Sequence, residues 1–220
     1  MEQGRIDVPV QPQGDACEER VAPRFTLLIR AAKLVCRSGE FICIIRDVSE
    51  SGISLRGFHP LPADDGMEIE LQTGERHPVE PVWGRGNEAG FRFTEAVDIV
   101  RLVAEVGKYP KRQLRLALEF PVELLFLGRR VPARIVNMSQ QGARLACAEM
   151  LAIDQPVRLV SPDFAEVRAR VRWRRHPDHG GDCGVVFDDT FSLSQLAIFA
   201  ARLQQPALLD DPACAASARR

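Results

Sequence analysis

The chain has 220 residues, 45% hydrophobic and 27% charged, with a net charge of −1. That is room for one large domain or two of about 100 residues, and it excludes a wholly disordered or collagen-like polymer. The longest apolar runs, such as Phe41–Ile45, fall far short of the roughly 18 to 20 residues of a membrane span, and the N-terminal stretch lacks the basic start and apolar core of a secretory signal, so a cytoplasmic chain with no membrane partner is expected. The six cysteines, at 17, 36, 43, 147, 183 and 214, have no Cys-x-x-Cys spacing and read as reduced, mostly buried thiols. Residues 17–105 carry 11 basic against 15 acidic side chains and residues 106–205 carry 15 against 10. Neither half has the excess expected of a duplex-DNA-binding domain.

Residues 1–16, rich in Pro, Gln and Gly, read as a flexible tail. Short runs rich in β-branched and aromatic residues follow, at Leu27–Cys36, Phe41–Arg46, Ile53–Arg56, Met67–Gln72, Val79–Trp83 and Gly90–Phe93, punctuated by Gly, Pro, Ser and Asp. Six short strands at this spacing predict a small antiparallel barrel. Asp98 caps a predicted helix over Ile99–Val106, and Gly107–Lys111 is the expected interdomain linker. At an offset of 90 residues the pattern returns: Asp47-Val-Ser49-Glu-Ser-Gly52 falls on Asn137-Met-Ser139-Gln-Gln-Gly142, and Trp83 on Trp173. After a four-residue insertion Gly90-Phe-Arg-Phe93 meets Gly184-Val-Val-Phe187, and a Ser192/Gln195 capping box opens a second helix. The chain is therefore read as mainly β: a tail (1–16), a first unit (17–106), a second unit (107–205) and a C-terminal tail (206–220), each unit a six-stranded antiparallel barrel closed by a helix. Trp83 and Trp173 are expected on equivalent strands with much of each indole buried.

In the first unit Arg20-x-x-x-Arg24 precedes the first strand and Asp47-x-Ser49-x-x-Gly52 follows the second. In this order and spacing the residues resemble the PilZ family, whose signature is Arg-x-x-x-Arg followed by Asp or Asn-x-Ser-x-x-Gly. The resemblance covers 20–105, and a second copy covers 111–204. It implies tandem PilZ-like barrels and a cyclic di-GMP ligand, with no further cofactor; the four histidines, in or beside Pro- or Gly-rich turns and without a recognisable nucleophile, give no catalytic set, so no enzyme is expected. Two phosphates and two guanines call for guanidinium groups that pair with phosphate or the guanine edge, which fits Arg20 and Arg24. A carboxylate can accept from guanine N1–H and its amino group, a hydroxyl can add a bond, and a glycine allows close backbone approach, which fits Asp47, Ser49 and Gly52. The same Asp-x-Ser-x-x-Gly is also the pattern of a tight turn with glycine at positive φ.

The second copy departs from the signature. Lys111-Arg-Gln-Leu-Arg115 replaces or shifts the first arginine, and Asn137 stands where the first copy has Asp47, followed by Ser139 and Gly142. Lys111 neutralises phosphate but cannot bind it bidentately. On this pattern the principal site belongs to the first unit and a weaker one to the second, with output through ordering of the Arg20–Arg24 segment to present a surface to a protein partner. The alternative is an interaction adaptor that keeps the barrel and binds no nucleotide. Arg168, Arg170, Arg172 and Arg174 alternate along a strand and read as a solvated face, or as a docking face for an acidic partner or nucleic acid, though nucleic acid is not the expected partner. His176, His179 and Cys183 read as a hairpin loop rather than a zinc site.

Overall fold

The computed structural model describes residues 25–104, 113–175 and 181–210, without the side chains of 25–29, 101, 103 and 104. Within them the first unit comprises β1 (Phe25–Cys36), β2 (Gly39–Ser49), β3 (Gly52–Gly57), β4 (Met67–Glu70), β5 (Arg76–Arg85), β6 (Glu88–Phe93) and α1 (Ile99–Ala104). The second comprises β7 (Phe120–Phe126), β8 (Arg129–Met138), β9 (Gly142–Cys147), β10 (Pro156–Ser161), β11 (Phe164–Arg175), β12 (Gly181–Phe187) and α2 (Leu193–Gln204). Each unit closes into an antiparallel barrel, in the order β1-β2-β3-β6-β5-β4 and, equivalently, β7-β8-β9-β12-β11-β10. The duplication read from the sequence is thus a duplication of topology.

Alternation fills the barrels. In β7, Phe120, Val122, Leu124 and Phe126 point inward while the residues between them are wetter, as a two-residue side-chain period requires. Ile45, Leu55, Ile69 and Phe91 do the same for the first barrel. The capping box of α2 is formed: the Gln195 amide donates to Ser192 Oγ at 3.1 Å and the Ser192 amide to Gln195 Oε1 at 2.8 Å. Its apolar stripe, Leu196, Ala197, Phe199 and Ala200, seals the second barrel, whereas Ala201 joins the first barrel's core. Reciprocally, Ile42 of β2 is buried in the second barrel's core. The Gln204 side chain extends this contact as a short strand would, accepting from the Glu40 amide and donating to its carbonyl, both at 2.8 Å.

One expectation needs adjustment. The C-terminal stretch read as a tail from 206 begins instead with a 3-10 turn, Pro206–Leu209, because Leu208 and Leu209 find apolar surface on the first barrel's core. Helix α1 is followed to Ala104. The predicted last turn to Val106, the linker 107–111, and the tails 1–16 and 211–220 lie outside the described residues.

Candidate functional site

Both copies of the Ser-x-x-Gly element form the turn between the second and third strands. Ser49 Oγ donates to the Gly52 carbonyl at 3.3 Å and Ser139 Oγ to the Gly142 carbonyl at 3.2 Å, and both serines are buried. The glycines are not at positive φ. A Cβ on Gly52 would press on the Phe91 carbonyl, and one on Gly142 would overlap the Val185 carbonyl, so the smallest residue is needed where the sixth strand passes. The turn chemistry of these residues is therefore local and structural, while the same residues form the wall of a groove on each barrel.

A β-bulge re-aims the chain just before the acidic or amide position. The β2–β3 register shifts between Ile45 and Asp47, and the β8–β9 register between Ile135 and Asn137. In the first barrel Ser54 Oγ accepts from the Asp47 amide and donates to its carboxylate, each at 3.1 Å. In the second, Asn137 Oδ1 accepts from Arg115 Nη1 at 3.1 Å. The structure thus brings Arg115, Asn137, Ser139 and Gly142 together. Asp47, Ser49 and Gly52 are likewise adjacent, while Arg20, Arg24 and Lys111 lie outside the described residues.

The tryptophans occupy equivalent strands, as expected, but not in the expected environment. A second bulge, between Pro81 and Trp83 in β5 and between Val171 and Trp173 in β11, turns each indole outward, leaving Trp83 47% and Trp173 41% exposed. Each ring lies on the glycine opposite: a Cβ on Gly90 or Gly184 would collide with the indole nitrogen. The expected burial is replaced by a half-open aromatic plate on the groove wall, a role that the Trp and Gly-x-x-Phe spacing signals only once the strands are paired.

The two grooves, about 470 Å³ on the first barrel and 490 Å³ on the second, differ in charge. Among the described residues the first is lined by Asp47 and by Arg92, whose guanidinium already binds Glu80 at 2.7 Å. The second is lined by Arg115 and Arg172 and by no carboxylate, although the Arg172 guanidinium faces Asp154 at 3.4 Å. Arg172 replaces Val82 of the first copy; it was singled out in the alternating Arg strand but not connected with the ligand site. The other arginines of that strand face solvent, with Arg170 facing Asp188 at 3.8 Å and Arg174 donating to the Leu151 carbonyl at 2.9 Å.

No group of three or more metal-binding side chains occurs among the described residues, and Cys183 is buried. His176 and His179 lie outside them. Burial pushes the thiols of Cys43 and Cys183 up to about 12. No helix among the described residues is long and apolar enough to cross a membrane.

Similar folds include the Borreliella burgdorferi PlzA protein in complex with c-di-GMP (10% identity, 80% of this chain and 88% of that one, TM-score 0.34). Others are the K. pneumonia MrkH–c-di-GMP complex (11%, 82% and 88%, TM-score 0.34) and Escherichia coli YcgR in complex with c-di-GMP (13%, 86% and 87%, TM-score 0.33). No curated protein matches the sequence. The family model described as PilZ domain matches residues 110–204, a range that starts before Arg115, takes in the second barrel and ends with α2. Residues 110–204, the second barrel with α2, are thus a PilZ domain.

Proposed function

We propose that the protein is a cyclic di-GMP receptor that binds the dinucleotide in the second barrel's groove. The observation that carries this reading is Arg115, bonded to Asn137 at the mouth of a groove that also holds Arg172 and the Trp173 plate and has no lining carboxylate. A ligand with two phosphates and two guanines needs cations and a flat apolar surface for a base; Arg115 and Trp173 supply these, and Arg172, in an exposed pair with Asp154 at 3.4 Å, can exchange that weak contact for phosphate. Lys111 stands four residues before Arg115 and completes the cationic element.

The first barrel is assigned the same ligand through Arg20, Arg24, Asp47, Ser49 and Gly52. There the two arginines would add to Arg92, the one cation lining the groove among the described residues, and their ordering over the ligand would create a new surface for a protein partner. A second reading makes this barrel an interaction module without nucleotide. It is favoured by the single arginine, Arg92, that lines this groove among the described residues, against Arg115 and Arg172 in the other.

Calorimetric titration of the intact chain with cyclic di-GMP tests the reading. Micromolar or tighter binding, weakened by Arg115→Ala, is expected. A folded chain that gives no heat at tens of micromolar ligand refutes the receptor function. If Arg24→Ala weakens binding and Arg115→Ala does not, the ligand belongs to the first barrel alone.

A further inference from the structure

The segment that carries Arg115 runs between the barrels. On one edge its Leu116 exchanges two backbone hydrogen bonds with Met138 of β8, at 2.8 and 3.0 Å. The next groups along an extended chain, the Arg115 carbonyl and the Ala117 amide, point the opposite way and need partners of their own. The first barrel provides them from side chains. Lys33 Nζ donates to the Arg115 carbonyl at 3.1 Å, and the Ala117 amide donates to Glu40 Oε2 at 2.6 Å. Lys33 and Glu40 are themselves paired at 3.1 Å, and together they stand in for the missing edge strand.

This pair is built rather than incidental. Lys33 is 4% exposed, and its ammonium group has three protons for three acceptors: Glu40, Glu70 at 3.1 Å, and the Arg115 carbonyl. Glu70 is also held by Arg76 at 2.8 Å, and Arg76 binds Glu68 at 3.1 Å. The Glu40 backbone is fixed independently by Gln204. Nothing in barrel formation requires a buried lysine on the outer face of β1, where its neighbours Ala32 and Leu34 point into the first core and its cross-strand partner Ile42 into the second. What the lysine and its partner accomplish is to hold the backbone on either side of Leu116, leaving the Arg115 side chain free to reach Asn137.

We infer that Lys33 and Glu40 of the first barrel are positioning residues for ligand binding by the second: they fix the backbone of Arg115, so that the second groove binds cyclic di-GMP at full affinity only while the first barrel is docked on it. This rests on the proposed function of the second groove. Its energetic content is pre-organisation, since a ligand pays for every fraction of the population in which Arg115 is out of place.

Glu40→Ala is the informative variant. It removes the acceptor for the Ala117 amide yet leaves Lys33 and Arg76 facing Glu68 and Glu70, a balanced set, whereas Lys33→Met would strand two carboxylates. In an otherwise full-length chain carrying Trp83→Phe, Trp173 fluorescence reports cyclic di-GMP at the second groove. Glu40→Ala is expected to weaken that binding by about threefold to tenfold, as Arg115 spends a smaller fraction of the time in place. Glu40→Gln, which keeps an oxygen acceptor, should restore most of it. Ligand should also slow exchange of the Ala117 amide in the unmutated chain, as linkage requires. Unchanged affinity in a folded Glu40→Ala protein overturns the inference, as does loss of affinity that Glu40→Gln fails to restore. If Glu40→Ala does not fold, Ala117→Pro, which deletes the donor and keeps Glu40 and its partners, must reproduce the weakening. Absence of any response to cyclic di-GMP in the unmutated chain, by fluorescence and by heat, refutes instead the function on which the inference rests.

Discussion

Replacing Trp173 by alanine separates its structural from its binding role, because the ring is half in each. A fully buried tryptophan truncated to alanine costs about 3 to 5 kcal/mol. Trp173 keeps 41% of its surface exposed and is packed against Gly184. Scaling that cost by the buried share gives about 2 kcal/mol, small enough for a two-barrel protein to remain folded. Stacking of a base on an aromatic ring is worth about 1 to 3 kcal/mol, or roughly 5-fold to 150-fold in affinity. Urea denaturation should therefore show a modest loss of stability in Trp173→Ala, while calorimetric titration with cyclic di-GMP shows at least a fivefold rise in Kd. Trp173→Phe, which keeps a flat ring, should recover part of the affinity. Trp83→Ala should cost similar stability and leave the second groove's affinity unchanged. An affinity loss below threefold in folded Trp173→Ala would refute the role of the indole as a base platform, and a stability loss of 4 kcal/mol or more would refute its half-exposed placement.

Arg115→Ala removes a charge-assisted contact worth about 1.5 to 3 kcal/mol, so Kd for cyclic di-GMP at the second groove should rise roughly 10-fold to 150-fold without a change in the unfolding midpoint. Arg20→Ala with Arg24→Ala should reduce the number of ligands bound per chain from two to one while leaving the Trp173 signal intact; an unchanged stoichiometry would remove these arginines from the first barrel's site. Cys43 and Cys183, with thiols pushed up to about 12 by burial, should react with a thiol reagent only as fast as the barrels open, and rapid native labelling of either, read by mass spectrometry, would contradict the packing. Burial holds His59 below its ordinary value of 6.5, with Nδ1 at 2.7 Å from the Pro60 carbonyl and Nε2 buried without a partner among the described residues. The unfolded chain thus binds this proton more readily, so stability is whole above pH 6.5 and falls as pH drops through that value toward the folded one. Urea midpoints should be lower near pH 5.5 than near pH 7.5, with the fall reduced in His59→Gln.

Most of the barrel architecture was legible because it is local and periodic. The run Phe41–Arg46 lies within β2 and Gly90–Phe93 within β6, and the offset of 90 residues superposes motifs that end on the same turn of two identical topologies. What escaped was whatever depends on a one-residue slip. Alternation assigns Trp83 and Trp173 to the interior, and the bulges before them reverse that assignment; a bulge adds a residue to one strand opposite another, and no single strand's composition announces it. The Lys33–Glu40 clamp escaped for a different reason. Its members contact Arg115 and Ala117, 82 and 77 residues away, and a lysine within an apolar strand gives no sign of which distant backbone it serves.

The two copies also show which parts of a shared motif carry ligand chemistry. Both keep the Ser-x-x-Gly turn, the bulge before position 47 or 137, and the indole lying on a glycine. These are demands of the barrel, since the serine closes a turn and the glycine makes room for a neighbouring strand. The differences fall on groups that face the groove. Asn137 in place of Asp47 removes a negative charge, Arg172 in place of Val82 adds a positive one, and Val186 in place of Arg92 removes one, so the second copy is more positive by one unit at these positions. Asn137 also accepts directly from Arg115, so the amide that departs from the first copy's carboxylate keeps a contact to the cation and removes a charge that would repel phosphate. For a doubly anionic ligand the Asn137 and Arg172 substitutions work together, and they make the groove with the less regular motif the one better suited to the charge it is proposed to hold.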